Sequence, residues 1–403
     1  MARVLEHVSK RLLRDEGLLV PEFRVARSPT EARARTEELG PPVVLKALVP
    51  VGKRGKAGAI KFADSPDDAY RLAAELLALT VRGFPARSIL VERKLDIRQE
   101  MFVSIAIDRE RQQPVIIFSG EGGIDIEEIN ERRPERIVRH GVDYLQGLAE
   151  YEAKEVCYRA GLGGGLLREV ATVVHRLYQV FVKYDCEVLE INPLALTAEG
   201  KIVLAACLMA VDSSALFRQS SLQGEVEMSS ERFWRPLTEL EKSAIAVNEA
   251  DPYRGTARYT EMDGGDIGFL CGGGGGSLLM YDALLQYGGR PANYSEVGGN
   301  PPEQKVRGLT RVILSKPGVK GLIAACNITN NTQVDVVARG IVAALSDLGI
   351  DPGAFPVLIR YAGVNDEVGR GVFEAAGVEY HGDDITMATA ARLMVAKMQS
   401  RKG

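Results

Sequence analysis

Pro42-Val43-Val44-Leu45-Lys46-Ala47-Leu48-Val49, followed by Gly52-Lys53-Arg54-Gly55-Lys56-Ala57-Gly58, sets the architecture of the first half of the chain. The apolar run reads as a buried strand that carries one charge, Lys46. On either side, Ser28-Pro29-Thr30-Glu31 and Ser65-Pro66-Asp67-Asp68 each place an N-cap, a proline at the first helical position and an acid three residues after the cap, so each opens a helix. The expected order is helix, strand, glycine-rich loop, strand, helix. Glycines let such a loop bring its backbone N–H groups against phosphate, its cations compensate charge, and a lysine on the neighbouring strand reaches an α- or β-phosphate. A flexible basic hairpin has the same composition, and the G-x-x-x-x-G-K-[ST] phosphate loop is absent.

Working outward, Ser88–Arg93, Met101–Ile107 and Pro114–Gly120 read as consecutive strands and about 166–184 as a helix. Val188–Pro193 and Ile202–Val211 then read as a strand pair, which suits an α+β nucleotide-binding architecture. Gln219 to Ala250 is polar and rich in Ser and Glu, and reads as a linker with some helix. Beyond it, Ile267–Leu270, Gly321–Cys326 and Pro356–Arg360 alternate with helices such as the one carrying Val306, Leu309, Val312 and Ile313. That alternation predicts a doubly wound parallel sheet, so the fold class is α/β.

A chain of 403 residues is too long for one compact core, and two or three domains are expected. The formal net charge of -4 gives no basic field to attract nucleic acid or an anionic membrane. No stretch reaches the roughly 18 apolar residues of a membrane span. The first helical stretch places Val4, Leu5, Val8 and Leu12 on one face; it lacks a secretory core, and Glu6, Asp15 and Glu16 argue against a mitochondrial leader. Five scattered cysteines without a C-x-x-C pair read as reduced thiols of a cytoplasmic protein.

Acids on strands form a second candidate group: Glu92, Glu100, and Glu190 within Glu190-Ile191-Asn192-Pro193. Phosphoryl transfer from ATP needs magnesium, which favours oxygen ligands, and ribose hydroxyls need acceptors. Each acid alone is equally at home as a solvated strand residue.

In combination, Val43-Val-Leu-Lys46, Gly52-Lys-Arg-Gly-Lys-Ala-Gly58, Glu121-Gly-Gly-Ile-Asp-Ile-Glu127, Glu190-Ile-Asn-Pro-Leu194 and Ala215-Leu-Phe-Arg-Gln219 resemble, in order, the succinyl-CoA synthetase β-subunit family. The resemblance implies an ATP-grasp domain over 1–240, including the linker from about 219, and a flavodoxin-like CoA-ligase domain over 241–403. It implies that Lys46, Gly52, Lys53, Arg54 and Gly55 hold the phosphates of ATP or ADP, that Glu92 and Glu100 line the nucleotide pocket, and that Asn192 binds Mg2+. Glu190 matches the position thought to help stabilise a phosphohistidine. The phosphohistidine itself is expected on a partner, an α-type CoA-binding subunit of a hetero-oligomer, because none of His7, His140, His175 and His381 stands in a glycine-flanked loop suited to phosphorylation. One position departs: aligned without gaps through Asp212, the family's magnesium-binding aspartate falls on Ala206.

In the C-terminal third, Cys271-Gly-Gly-Gly-Gly-Gly-Ser277 joins a strand to a helix, so Gly274, Gly275, Gly276 and Ser277 present free backbone N–H groups and a positive dipole end to a carboxylate or phosphate. In a doubly wound sheet, Gly299 and Asn300 would converge on them together with Asn330, Asn331 and Thr332. Arg360 adds a guanidinium able to grip a carboxylate bidentately. Side-chain amides and a hydroxyl favour an acid bearing a hydroxyl or a third carboxylate. These loops resemble the small subunit of ATP-citrate lyase and citryl-CoA synthetase, which makes citrate the leading small organic acid, with succinate or malate next. The implied chemistry runs from ATP to the partner's histidine, then to the acid, and ends with attack of the coenzyme A thiolate on the acyl phosphate.

Overall fold

The computed structural model describes residues 2–52, 54–123, 131, 133–222, 224–228 and 235–400; Lys53 and the motif residues Ile124 to Glu127 lie outside them. The chain enters as a strand, β1 (Ala2–Val4), so Val4 belongs to a sheet and not to the first helical face. Pairing decides this, because Ala2 and Val4 stand opposite Val211 and Met209 across an antiparallel ladder. Leu5 caps α1 (Glu6–Asp15), which buries Val8, Leu12 and Leu13.

Next come β2 (Phe23–Ala26), α2 (Pro29–Leu39), β3 (Val43–Ala47), β4 (Ile60–Ala63) and α3 (Pro66–Leu77). The short pair β5 (Thr80–Val81) and β6 (Phe84–Pro85) leads into β7 (Ile89–Arg93). Both helices start where the sequence places them: the Ser28 and Ser65 hydroxyls accept the N–H groups of Glu31 and Asp68, each at 3.1 Å. They pack on an antiparallel sheet of order β2-β7-β3-β4, over a core that includes Leu39, Leu45, Leu76 and Ile89.

A larger sheet follows from β8 (Ile97–Asp108), β9 (Gln113–Ser119), β10 (Ile137–Gly141), β11 (Cys186–Thr197), β12 (Ile202–Leu204), β13 (Cys207–Val211) and β14 (Val226–Met228). Helices α4 (Glu150–Arg159) and α5 (Gly164–Lys183) intervene, and the strand order is β10-β9-β8-β11-β13-β1-β14 with β12 paired to β11. The expected single strand over 202–211 is divided at Ala205-Ala206. Pro193 has no N–H to donate, and the β11 register shifts between Ile191 and Leu194; opposite that break, Asn192 donates to the Ala206 carbonyl at 3.2 Å and Ala205 to that of Pro193 at 3.1 Å. The stretch read as a linker carries β14, paired to β1, and α6 (Glu239–Glu249), whose start is fixed by reciprocal bonds between Thr238 and Glu241.

The chain divides into two compact units, Met1–Ser229 in the first and Leu237–Gly403 in the second. The second contains β15 (Thr256–Glu261), β16 (Ile267–Gly272), α7 (Gly275–Gln286), β17 (Asn293–Gly298), α8 (Glu303–Leu314) and β18 (Gly321–Thr329). It closes with α9 (Val334–Asp347), β19 (Val357–Gly363), α10 (Asp366–Ala375), β20 (Glu379–His381) and α11 (Met387–Ser400). Its sheet order is β15-β17-β16-β18-β19-β20, parallel except for the antiparallel edge β15. The doubly wound expectation holds, since separate apolar clusters cover the two faces. Chain direction reverses about β16, which opens a crevice beyond the carboxyl ends of β16, β17 and β18. Lys305 ties α8 to the turn before β15: its buried ammonium donates to the carbonyls of Asp251, Arg254 and Gly255 at 2.5, 2.9 and 2.9 Å.

Candidate functional site

In the first unit, alternation along four strands brings the sequence's candidates to one cleft of about 950 Å3. Lys46 on β3 stands opposite Leu90 on β7, which puts Lys46 and Glu92 diagonally on one face of the small sheet. Across the cleft, Glu190 on β11 pairs with Leu208 on β13, and Asn192 bonds to the backbone of Ala206; these four side chains therefore share the face that lines the cleft. Gly52, Arg54, Gly55, Glu100 and Gly123 complete the wall, as does Arg3 from β1.

Below the loop lies a cluster of charges, Glu6 and Lys10 from α1 with Lys46, Arg54 and Glu92, three cations against two anions. Lys10 meets Glu6 at 3.0 Å and Glu92 at 2.5 Å, Lys46 meets Glu6 at 3.3 Å and pairs with Glu92, and Arg54 pairs with Glu6. Burial alone would raise the Glu6 carboxyl, but Arg54, Lys10 and Lys46 outweigh it and hold the group well below the usual carboxylate range. For Lys46 burial wins: with Lys10 and Arg54 competing for the same anions, its ammonium is pulled below the ordinary lysine value. A bound phosphate would add a further anion beside Lys46, where three cations share two carboxylates.

Glu6 and Lys10 were not singled out from the sequence. Their one local signal is the i, i+4 spacing on an amphipathic helix, which equally describes a solvated pair. Glu100 lies against the tight backbone at Gly123, where a Cβ would fall 1.5 Å from its Oε2, and the Gly123 N–H donates to Asn192 Oδ1 at 2.9 Å. Arg3 is held down by burial, which Glu190 partly offsets.

Magnesium demands near-octahedral oxygen ligation. Among the described residues no group of three His, Cys, Asp or Glu side chains is placed to hold a metal ion. Ala206 and Leu208 add no oxygen to the cleft wall, and the Asn192 amide oxygen already accepts a hydrogen bond. Among the described residues these side chains do not make a cation site of their own.

In the second unit the three acid-site loops meet. A Cβ on Gly276 would stand 3.8 Å from Asn327 Cβ, one on Gly298 would stand 3.7 Å from the Gly273 nitrogen, and Asn300 donates its N–H to Thr332 Oγ1 at 3.3 Å. Gly274 caps α7 with φ 90, while Gly275 and Gly276 form its first turn. Asn330, Asn331 and Gly299 are exposed, and Thr332 is buried with its carbonyl accepting from Thr329 Oγ1 at 2.8 Å. Ser277 points inward: its hydroxyl lies 2.6 Å from the Gly274 carbonyl, 2.7 Å from Tyr294 Oη and 2.5 Å from Glu296 Oε1. Tyr294 and Glu296 were not singled out, because only the parallel register of β16 with β17 brings them there. Arg360 is buried and directs Nε to the Ile385 carbonyl at 3.1 Å and Nη1 to that of Cys326 at 2.6 Å, so part of its guanidinium ties β18 to the segment before α11.

Among the described residues no helix is long and apolar enough to cross a membrane. Residues 3–196 match the ATP-grasp domain family and residues 238–382 the ATP citrate lyase citrate-binding family. The chain is 38% identical over 397 residues to the β subunit of ADP-forming succinate–CoA ligase from Rubrobacter xylanophilus, covering 97% of each chain. It is 38% identical over 376 residues to the corresponding subunit from Ignicoccus hospitalis, covering 93% of this chain and 94% of that one. Among solved structures, ATP citrate lyase from Methanothrix soehngenii in complex with citrate and coenzyme A superposes with a TM-score of 0.79 at 20% identity, over 98% of this chain and 99% of that one, which is a likeness of fold.

Proposed function

Because this chain belongs to the succinate–CoA ligase β-subunit family, the nucleotide-binding part of an ADP-forming acid–CoA ligase, we propose that the acid it activates is citrate, giving citryl-CoA. The observation that carries the choice is the meeting of two polar loops, in which the Asn300 N–H donates to Thr332 Oγ1 next to Asn330 and Asn331, in the unit where α7 opens on glycines. A hydroxyl and a third carboxylate would find partners there, whereas an acid that covered the exposed Asn330 and Asn331 without offering them would leave those amides unmatched. The match of residues 238–382 to a citrate-binding family supports the same reading. Succinate is the second reading, on the names of two relatives that are each 38% identical.

In this reading Lys46, Gly52, Lys53, Arg54 and Gly55 meet the phosphates of ATP, and Glu92 and Glu100 line the nucleotide pocket. Glu190 and Asn192 face the transferring phosphoryl group, Glu190 to steady a phosphohistidine brought by an α-type subunit. The exposed N–H groups of Gly275 and Gly276, with Gly274 and Gly299, receive a carboxylate, and Arg360 closes the far side. Coenzyme A is the co-substrate, and the complex works in the cytoplasm. A regulatory subunit that binds nucleotide without turnover is a third reading, favoured by Ala206.

Thermal shift of the two-subunit complex against citrate, succinate and malate tests the substrate. Citrate is expected to raise the midpoint most. A shift with succinate and none with citrate would overturn the assignment.

A further inference from the structure

We infer that nucleotide binding in the first unit's cleft does not depend on a divalent cation held by the protein. Any magnesium arrives and leaves on the phosphates. This rests on the nucleotide reading above and concerns how that site meets charge.

The argument is one of placement. Beside the glycine loop, the face of β11 and β13 offers Glu190 opposite Leu208 and Asn192 opposite Ala206, so half of this wall is methyl and isobutyl. Leu208 is pressed against the loop itself, its Cδ1 3.3 Å from where a Cβ on Gly52 would stand. Among the described residues, most of the acids within reach are already paired. Glu6 and Glu92 are paired with Lys10, Lys46 and Arg54, and Glu190 interacts with Arg3. Glu100 lies against Gly123, whose N–H also occupies Asn192 Oδ1. A cation bridging phosphate to protein needs an outward-facing oxygen, and magnesium surrenders its waters reluctantly. The cationic side is supplied by Lys46 and Arg54, which line the cleft within a cluster of three cations and two anions that keeps one net positive charge.

Isothermal titration of the full chain with ADP, in magnesium chloride and then in EDTA, tests this. The two dissociation constants are expected to agree within about threefold. An affinity that rises about tenfold or more with magnesium overturns the inference while leaving the nucleotide reading in place. Failure to bind ADP in either buffer overturns both. In Ala206→Asp, whose side chain enters a half-exposed wall, ADP affinity is expected to fall in EDTA and to recover about tenfold on adding magnesium. A folded variant that gains no magnesium dependence overturns the assignment of the missing oxygen to this wall.

Discussion

Lys10 and Lys46 reach the same acceptor: both ammonium groups donate to the Ala205 carbonyl, each at 2.8 Å, from a helix and a strand far apart in sequence. Two like charges share one oxygen only because Glu6 and Glu92 lie between and beside them. The cluster therefore fixes the floor of the cleft, and its carboxylates are what hold the lysines together.

Glu6 is the most sensitive member. Glu6→Gln leaves three buried cations facing one carboxylate, and breaking a buried pair in this way costs on the order of 3–5 kcal/mol. Urea denaturation of the first unit's signal is expected to show that loss; a change under about 1 kcal/mol would show the pairs to be dispensable.

The same residue sets an acid limb. Its folded-state pKa is depressed, so the stabilisation is present above the unfolded value near 4.5 and is lost as pH falls below it toward the folded value. Stability followed by denaturation between neutral pH and acid is expected to fall less steeply below that point in Glu6→Gln. Identical slopes in both proteins would exclude Glu6 as the titrating group.

Lys46→Met leaves two cations against two anions, so the cluster becomes balanced and the fold is expected to survive. A charge-assisted contact to phosphate is worth about 1.5–3 kcal/mol, and ADP should bind roughly 10–100-fold more weakly. Unchanged affinity by titration calorimetry would place the phosphates elsewhere.

Ser277→Ala withdraws the hydroxyl shared by Gly274, Tyr294 and Glu296. A loss of about 1–3 kcal/mol is expected in the second unit. The acid-induced thermal shift should also shrink while ADP affinity is retained. A destabilised protein with a full acid response would limit Ser277 to a structural role.

Lys305→Met leaves three backbone carbonyls without their donor and is expected to destabilise by on the order of 3 kcal/mol. Because Lys305 belongs to the second unit and does not line the nucleotide cleft, ADP affinity should stand below the transition, and acid affinity should stand if the turn it holds keeps its place. Loss of acid binding in the folded variant would contradict that separation.

Much of this was legible in the sequence because its signals are local. Ser28 and Ser65 cap helices with atoms three residues away, and the β3–loop–β4 pattern brings Lys46 and Arg54 to the cleft. What could not be read depends on long-range register. Glu6 is an acid of a surface-like helix until Lys46 and Arg54 arrive from 40 and 48 residues away. Tyr294 and Glu296 gain meaning only when β17 is laid beside β16, and β1 is a strand only because β13 and β14 flank it. Arg360 shows a further limit, since residue type announces a guanidinium but not which carbonyls it will hold.

The run of five glycines at 272–276 is less constrained than it looks. Gly272 is obligatory, since a Cβ there would stand 2.2 Å from Cys326 Sγ, and Gly274 adopts φ +90, which side chains resist. Gly273 and Gly275 have nothing within 4 Å, and Gly276 meets only ordinary contacts. Three neighbouring positions therefore accept a methyl group without moving the main chain. Evolution, or a protein engineer, could narrow the mouth of this crevice one carbon at a time and, if the proposed acid binds there, shift preference among acids of different girth while leaving the main chain in place.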